Sequence, residues 1–287
     1  ARFSTFQAIV FHEGEFEQDT REGRCGNLII PGDHRHKGEQ MAAPRSRTLF
    51  HFTKNLNVLK NIIRRGFFPK YSLEDIAWFV AREIDAVAYP VVSFCDIPLS
   101  RITDHVSFYG QYGIGMRRMW GITNGFNPIV YVSETSDLAT LMRQISQSCI
   151  AAHKADKRET HLDNYRRLVG FCKPLEGKML VGGQFVSKIF YQESEWRHLA
   201  THEAIPNYLS KGEYHNPQIL GPANESAAKH CPLKFTPQNV KYIFVRTEDD
   251  IPELVSFIHD ELAHFPQRDL QTLIAKIVTQ DLIANDI

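Results

Sequence analysis

The spacing of apolar and polar residues predicts short strands interleaved with helices along most of the chain. Residues 49–53 alternate between aromatic and polar side chains, which is typical of a half-buried strand. A helical period of apolar residues then runs from Asn55 to Gly66, where the glycine ends it. The same reasoning predicts strands at 91–94, 129–132, 186–196 and 240–246. It predicts helices at 74–88, 100–109, 138–153, 162–169, 250–257 and 269–285.

The order of these elements defines the expected fold class. Strands and helices mix without the regular alternation of a doubly wound sheet, so the prediction is an α+β fold. Residues 207–232 are rich in Pro, Gly, Asn and Ser and are predicted to form a long loop or lid. Residues 1–46 are charged, glycine-punctuated and basic, which predicts an N-terminal arm packed on a body formed by 47–287.

Charge and cysteine content narrow the class of protein. The 287 residues carry 33 Lys and Arg against 33 Asp and Glu, and this balance removes any bulk electrostatic argument for binding nucleic acid. Five irregularly spaced cysteines do not form a secreted disulfide framework and fit a reducing compartment. The chain has no long apolar run and no signal-peptide pattern. We therefore expect a soluble cytoplasmic protein without a membrane partner.

Two motifs that suggest cofactor or metal chemistry do not have the required spacing. His259 and His264 are five residues apart, so they do not share a helical face as a zinc-binding pair does. Gly110, Gly113 and Gly115 reverse the spacing of the dinucleotide fingerprint and follow a predicted helix instead of a strand. We therefore expect no metal site.

Two other segments carry better chemistry. In the first strand, His51 and Thr53 point to one side while the neighbouring phenylalanines point to the other. Taken alone, this pattern favours a half-buried strand with its polar face in solvent. In the second segment, Glu193 and Glu195 fall on one face of an aromatic-rich strand. Two such carboxylates repel each other unless solvent or a ligand compensates, so a solvated face and a ligand site both remain open.

These segments belong to a set of motifs that resembles the AbiGi group of phage abortive-infection proteins. The similarity spans residues 47–260, in which the motifs at 49–56, 62–69, 71–75, 93–100, 109–115 and 193–197 occur in order. It implies a role in bacterial defence against phage. The group is named as an antitoxin, which leaves open whether the chain is a toxin or an antitoxin.

More distantly, the layout is similar to ADP-ribosyltransferases of the DarT and RNA 2′-phosphotransferase kind. That resemblance implies an ADP-ribosyltransferase-like split antiparallel β core with surrounding helices and a helical insertion at 138–169. NAD is expected to bind as a substrate in the cleft between the two sheets, so His51 and Glu195 are expected to face one cleft.

The same resemblance implies residue roles. Glu195 matches the transferase glutamate, and Glu193 matches the preceding acidic residue of a Glu-x-Glu pair. His51 is expected to hold a ribose hydroxyl, Ser93 to line the nicotinamide pocket, and Tyr71 or Tyr112 to stack on the nicotinamide ring. The implied NAD-binding set is His51, Thr53, Tyr71, Ser93 and Tyr112.

Together these features predict an NAD-dependent ADP-ribosyltransferase toxin that modifies RNA or DNA and pairs with a cognate antitoxin protein. A carboxylate beside the ribose stabilises the oxocarbenium-like transition state formed when the nicotinamide bond breaks. Basic residues near the motifs either guide the pyrophosphate or a nucleic acid, or cap helix ends; they are Arg64, Arg65, Lys70, Arg117 and Arg118. Two alternatives stay open: a non-enzymatic ADP-ribosyltransferase-like antitoxin or phage sensor, and an NAD glycohydrolase.

Overall fold

The computed structural model describes residues 47–78, 86–156, 160–181 and 184–286. The predicted N-terminal arm at 1–46 lies outside these residues.

Ten helices surround the strands in the described part of the chain. The helices are α1 Leu56–Arg65, α2 Ile102–Tyr109, α3 Arg118–Thr123, α4 Asp137–Asp156, α5 Thr160–Val169, α6 Lys211–Tyr214, α7 Pro217–His230, α8 Asp250–Glu261, α9 Gln267–Ile274 and α10 Gln280–Asp286. Short 3₁₀ helices occur at Leu99–Arg101, Phe190–Glu193 and Pro237–Asn239.

The described strands form one large sheet and two small ones. The strands are β1 Thr48–Thr53, β2 Lys70–Asp75, β3 Ala86–Cys95, β4 Tyr112–Arg117, β5 Asn127–Pro128, β6 Val130–Val132, β7 Cys172–Pro174, β8 Glu176–Val181, β9 Gln184–Ile189, β10 Glu195–Leu199, β11 Leu209–Ser210, β12 Val240–Val245 and β13 Ile277–Thr279. The nine-stranded sheet has the order β13-β12-β4-β1-β3-β10-β5, with β2 and β11 also paired to β3. Its pairs are antiparallel except the parallel pair β12–β13. The fold is therefore a mixed α and β fold built on a large mixed sheet.

Strand β3 is the centre of this sheet because different strands pair with its two halves. Its first half pairs with β2 and β11, while its second half pairs with β10. It meets β1 at the single register position Phe50↔Cys95, whereas β1 pairs with β4 along its whole length. β1 and β3 are therefore neighbours that separate after one contact point.

Local sequence signals account for the first strand and helix. Asn55 caps α1 by accepting a hydrogen bond from the Val58 N–H, and Gly66 ends the helix at a φ of +89°. Glycines permit the pairing of β4 with β1. A Cβ on Gly113 would lie 2.6 Å from the Phe52 ring, and one on Gly115 would lie 3.1 Å from the Phe50 ring. The glycines thus make room for the aromatic face of β1.

Several predicted elements agree with the structure. The predicted strands at 49–53, 91–94, 129–132 and 240–246 correspond to β1, β3, β6 and β12. The helices predicted at 100–109, 138–153, 162–169 and 250–257 correspond to α2, α4, α5 and α8.

Four predictions were wrong. The helix predicted at 74–88 is absent from the described ends of that segment, which belong to β2 and β3, and these strands pair with each other. Residues 207–232 are not a long loop but contain β11, α6 and α7. The predicted strand at 186–196 is interrupted by the 3₁₀ turn Phe190–Glu193. The predicted helix at 269–285 is divided into α9, β13 and α10.

The large sheet is covered on both faces by apolar clusters. One cluster packs Leu49, Phe94 and Ile114 against α1, α8 and α9. The other face packs Phe50, Phe52 and Phe244 against Ile102 of α2. In the described part of the chain, no helix is long and apolar enough to cross a membrane.

Candidate functional site

The carboxylate of Glu195 is held by three side chains in the interior of the protein. The Ser93 hydroxyl donates to Oε1 at 2.6 Å, and Nε of Arg197 donates to the same oxygen at 2.8 Å. Nζ of Lys173 donates to Oε2 at 3.1 Å. Because Glu195 is only 6% exposed, these bonds replace the water that a surface carboxylate would bind.

The pairing of β3 with β10 brings these groups together. Glu195 lies opposite Cys95, and Arg197 lies opposite Ser93. Residues opposite each other in an antiparallel pair project from the same face, so Ser93, Glu195 and Arg197 share one face of the sheet. The backbone N–H of Glu195 also donates to the Tyr131 hydroxyl at 2.8 Å, which fixes the start of β10.

Glu193 joins the same cluster from a turn. It ends the 3₁₀ helix Phe190–Glu193, and Ser194 then adopts a left-handed conformation with φ of +45° before β10 begins. Lys173 bridges the two glutamates, because its Nζ also donates to Oε2 of Glu193 at 3.1 Å. Lys188 lies 2.6 Å from the other Glu193 oxygen, which also accepts the Tyr109 hydroxyl.

Arg197 connects this cluster to two further parts of the fold. It is 1% exposed, and its guanidinium donates to Glu74 of β2 at 3.1 Å and to the Gly170 carbonyl at 2.7 Å. The cluster thus contains three carboxylates and three cations, namely Glu74, Glu193, Glu195, Lys173, Lys188 and Arg197. This balance explains how so many charged groups are buried together, since an unpaired buried charge is strongly destabilising.

Both glutamates are ionised at neutral pH. Burial alone raises the pKa of Glu195, but Arg197, Lys173 and the Ser93 hydroxyl together lower that pKa to about 2. Burial likewise raises the pKa of Glu193, and Lys173, Lys188 and Tyr109 reverse that effect and lower it. The repulsion expected between the two carboxylates is therefore offset by lysine and arginine side chains.

His51 is fixed in one neutral tautomer. Its Nδ1 lies 2.9 Å from the Ser93 carbonyl oxygen, and since a carbonyl only accepts hydrogen bonds, Nδ1 carries the hydrogen. Burial lowers the pKa of His51, an effect that this bond opposes. The ring also contacts the rings of Phe67 and Phe94, with centroids 5.3 and 5.4 Å away. Nε2 is consequently a hydrogen-bond acceptor.

The side chains of His51 and Glu195 do not share a face of the sheet. The register aligns Glu195 with Cys95 and Phe50, so His51, next to Phe50, projects from the opposite face. The prediction that the two side chains face one cleft is therefore wrong, because they lie on opposite faces of the sheet. Ser93 connects the two residues instead. Its carbonyl oxygen accepts a hydrogen bond from His51, and its hydroxyl donates one to Glu195.

The other predicted residues have partners outside the cluster around Glu195. Thr53 ends β1 opposite Tyr112. Tyr112 is buried in the apolar cluster of α1 and α8 and donates its hydroxyl to Asp250. Tyr71 is buried in a third cluster, where its hydroxyl donates to the Pro206 carbonyl. Both tyrosine hydroxyls are thus bonded within the fold, and the stacking roles stay predictions.

The predicted basic residues contact separate elements. Arg64 pairs with Glu261 of α8, and Arg118 pairs with Asp96 at 2.8 Å. Nε of Arg117 donates to the Gln238 carbonyl at 2.7 Å. These contacts favour structural roles for the three arginines over a shared anion-binding surface.

Sequence reasoning missed several members of the cluster. Arg197 had a readable signal, because it lies two residues after Glu195 on a strand and so shares its face. Lys173 lies on β7 and Tyr131 on β6, and these two strands pair with each other although α4 and α5 separate them in the chain. Their contacts with Glu195 depend on tertiary structure and cannot be predicted from spacing along the chain.

Among the described residues, no group of three or more His, Cys, Asp and Glu side chains is arranged to hold a metal ion. The cluster around Glu195 pairs its carboxylates with cations instead.

Comparison with known proteins identifies the family. The family described as "Putative abortive phage resistance protein AbiGi, antitoxin" matches residues 65–246. A curated relative, "Abortive phage resistance protein AbiGi" of Lactococcus lactis subsp. cremoris, is 26% identical over 254 residues, which is 77% of this chain and 99% of the relative. No solved structure matches.

These matches define the protein as a member of a class that resists phage by abortive infection. The chain belongs to the AbiGi family. The matched range contains Ser93, Lys173, Glu193, Glu195 and Arg197, and it begins after His51.

Proposed function

We propose that this abortive phage-resistance protein is an NAD-dependent ADP-ribosyltransferase in which Glu195 is the catalytic carboxylate. The observation that carries the proposal is the position of Ser93. It bonds the predicted transferase glutamate through its hydroxyl and the predicted ribose-binding histidine through its carbonyl. Three residues that the DarT-like resemblance selects separately are thus joined, although they come from three strands.

The ionised state of Glu195 suits the chemistry. Breaking the nicotinamide bond develops positive charge on the ribose, which a fixed carboxylate stabilises. Oε1 accepts bonds from both Ser93 and Arg197, which uses its two lone pairs. Among the described residues Lys173 is the partner of Oε2, so the second lone pair of Oε2 is the acceptor position for a ribose hydroxyl.

The separation of β1 from β3 provides the proposed binding site for NAD. The two strands share the pair Phe50↔Cys95, and beyond it the imidazole of His51 reaches across to Ser93 in place of a ladder hydrogen bond. His51 and Glu195 project from opposite faces of the sheet, so NAD is proposed to lie through this split, with Nε2 of His51 accepting one ribose hydroxyl and Oε2 of Glu195 another. Because Nδ1 is committed to the Ser93 carbonyl, the orientation of Nε2 is set before substrate binds.

An exposed aromatic residue supports a nucleic-acid acceptor. Tyr191 is 60% exposed and lies two residues before Glu193, with its ring 5.5 Å from that of Tyr131 and nearly perpendicular to it. Bases stack on exposed aromatic rings without requiring a large positive surface. We therefore propose RNA or DNA as the acceptor, and a cognate antitoxin protein as the partner that restrains the activity.

Label transfer from NAD tests the activity. The purified protein is incubated with NAD labelled in the adenylate phosphate, together with bacterial RNA, DNA and lysate protein. Label on nucleic acid is expected with the wild type and is expected to fall at least ~10²-fold in Glu195→Gln. Exposed Glu225→Gln is the matched control and is expected to retain activity. Equal transfer by the wild type and Glu195→Gln would exclude Glu195 as the catalytic group, while nicotinamide release without transfer would indicate a glycohydrolase.

The ion pairs of Glu195 favour a second candidate, a non-enzymatic antitoxin. The carboxylate of Glu195 is buried and paired with two cations. This arrangement is typical of a structural ion-pair cluster as well as of a catalytic carboxylate. The description of the matching family as an antitoxin agrees with this alternative. It predicts that folded Glu195→Gln protein keeps its full biological effect and that the wild type leaves NAD unchanged.

A further inference from the structure

Helix α4 carries two apolar stripes, only one of which is covered. Ala139 and Met142 are buried in the cluster that also contains Tyr165 of α5. The second stripe consists of Leu138, Leu141, Ile145 and Ala152, and its large members are exposed by 44%, 54% and 48% in that order. The monomer therefore leaves three large apolar side chains of α4 exposed to solvent.

The spacing of the uncovered stripe is that of a helix–helix seam. Its members follow one another at intervals of three, four and seven residues. This is the a/d spacing of a coiled coil, in which a second helix packs along the stripe. From Leu138 to Ala152 the seam is about 21 Å long at ~1.5 Å per residue.

Helix α5 widens this face. A groove of about 450 Å³ runs between the two helices, and its lining includes Ile145 and Ala152 of α4 and Tyr165 and Leu168 of α5. Leu168 is itself 54% exposed, so it extends the apolar face beyond α4. A contiguous apolar face of this kind marks an interaction site in soluble proteins.

The charges at the two ends of α4 select the partner. Asp137 lies in the first turn, His153 and Lys154 lie in the last turn, and Asp156 is the final residue of the helix. A second α4 packed antiparallel about Ile145 brings Asp137 of each helix opposite His153 and Lys154 of the other. The same arrangement opposes the two helix dipoles favourably. A parallel partner with the same charges would instead place like charges together.

We propose that α4 is the interface of a two-fold symmetric dimer of this chain, with α4 packed antiparallel against its copy. Such an interface is isologous, so the same residues act on both sides. Ile145 lies midway between Leu138 and Ala152 and therefore next to the two-fold axis. The proposal is independent of the activity assigned to Glu195.

Sedimentation of the full chain between ~1 and ~100 μM tests the dimer. The wild type is expected to dimerise, and both Leu141→Glu and Ile145→Glu are expected to be monomeric at every concentration. Met119→Glu is the control, because Met119 is 64% exposed on α3. A wild type that stays monomeric, or a dimer unaffected by both α4 variants, overturns the proposal.

Two further experiments, a charge reversal and a cysteine cross-link, separate this geometry from other modes of association. Asp137→Lys is expected to weaken the dimer, and adding Lys154→Glu is expected to restore it. Ile145→Cys is expected to form a covalent dimer on oxidation, whereas Met119→Cys is expected to cross-link no more than the wild type. Failure of the charge reversal to restore association, or equal cross-linking at both positions, contradicts the antiparallel interface.

Discussion

Ser93 donates its hydroxyl hydrogen to Oε1 of Glu195 over 2.6 Å, although the two residues are 102 positions apart in the chain. The bond forms because β3 and β10 are adjacent antiparallel strands whose register places both side chains on one face. It orients a carboxylate that Arg197 and Lys173 keep ionised. The chemistry proposed for Glu195 depends on this orientation.

Removing the Ser93 hydroxyl is expected to destabilise the fold. A hydrogen bond to a charged group contributes about 1.5–3 kcal/mol, so Ser93→Ala is expected to lower the free energy of unfolding by that amount at pH 7. Ser93→Thr keeps a hydroxyl and is expected to lose less. Urea denaturation measures both, and an unchanged midpoint in Ser93→Ala would contradict the role given to this bond.

Removing the charge of Arg197 is expected to have a larger effect. Arg197→Met leaves Glu74 and Glu195 without their shared cation, and breaking a buried pair in this way costs about 3–5 kcal/mol. Arg64→Met breaks an exposed pair with Glu261 and is expected to cost less than ~1 kcal/mol. Comparing the two variants by thermal and chemical denaturation checks the prediction, and equal losses would argue against a buried network.

Acid is expected to weaken the protein through Glu195. Its pKa is about 2 in the folded protein against an ordinary value of 4.5. A folded pKa below the unfolded one stabilises the protein above about pH 4.5, and this contribution is lost as the pH falls towards 2. The full contribution is about 3 kcal/mol at ~1.36 kcal/mol per pKa unit.

The test is the free energy of unfolding of wild type and Glu195→Gln between pH 7 and pH 2. The variant is expected to show a shallower loss of stability below pH 4.5 than the wild type. Exposed Glu225→Gln serves as the control and is expected to follow the wild type. Parallel curves for wild type and Glu195→Gln would rule out the lowered pKa.

The glycines of β4 are expected to be required for packing on β1. A Cβ at Gly113 would lie 2.6 Å from the Phe52 ring and 2.8 Å from the His51 carbonyl oxygen, so Gly113→Ala is expected to cost about 1–3 kcal/mol. Gly212→Ala in α6 meets no atom within 4 Å and is expected to be neutral or slightly stabilising. Denaturation midpoints that move equally in the two variants would contradict this packing.

The sequence predicted correctly those strands and helices that are determined by their own residue pattern and end caps. The alternation of β1 and the cap at Asn55 are local, and both predictions agree with the structure. Helix α7 was missed because its prolines and asparagines suggested a loop. Pro217 in fact lies in the first turn, and Asn216 caps the helix by accepting from Gln218. The strand at Lys70–Asp75 was missed because its last two residues were assigned to the acidic helix predicted at 74–88, whereas pairing with β3 makes them extended.

In the candidate site too, residues with a local sequence signal were predicted, and residues brought in by tertiary structure were not. The two glutamates stood out because they are two residues apart on an aromatic-rich segment, and both belong to the buried cluster. Tyr71 and Tyr112 were selected for their chemistry, but the core of the fold satisfies both hydroxyls. Lys173 reaches Glu195 through the pairing of β6 and β7, which no local pattern encodes.

Phage resistance measured in cells that express the wild type or Glu195→Gln tests the central claim most directly. Plaque counts are compared for the two proteins at matched soluble levels, with Glu225→Gln as the control for expression and His51→Ala as a second variant at the proposed NAD site. Catalysis by Glu195 predicts that wild type and Glu225→Gln protect, whereas Glu195→Gln and His51→Ala do not. Full protection by soluble, folded Glu195→Gln would contradict the enzymatic account and support the non-enzymatic one.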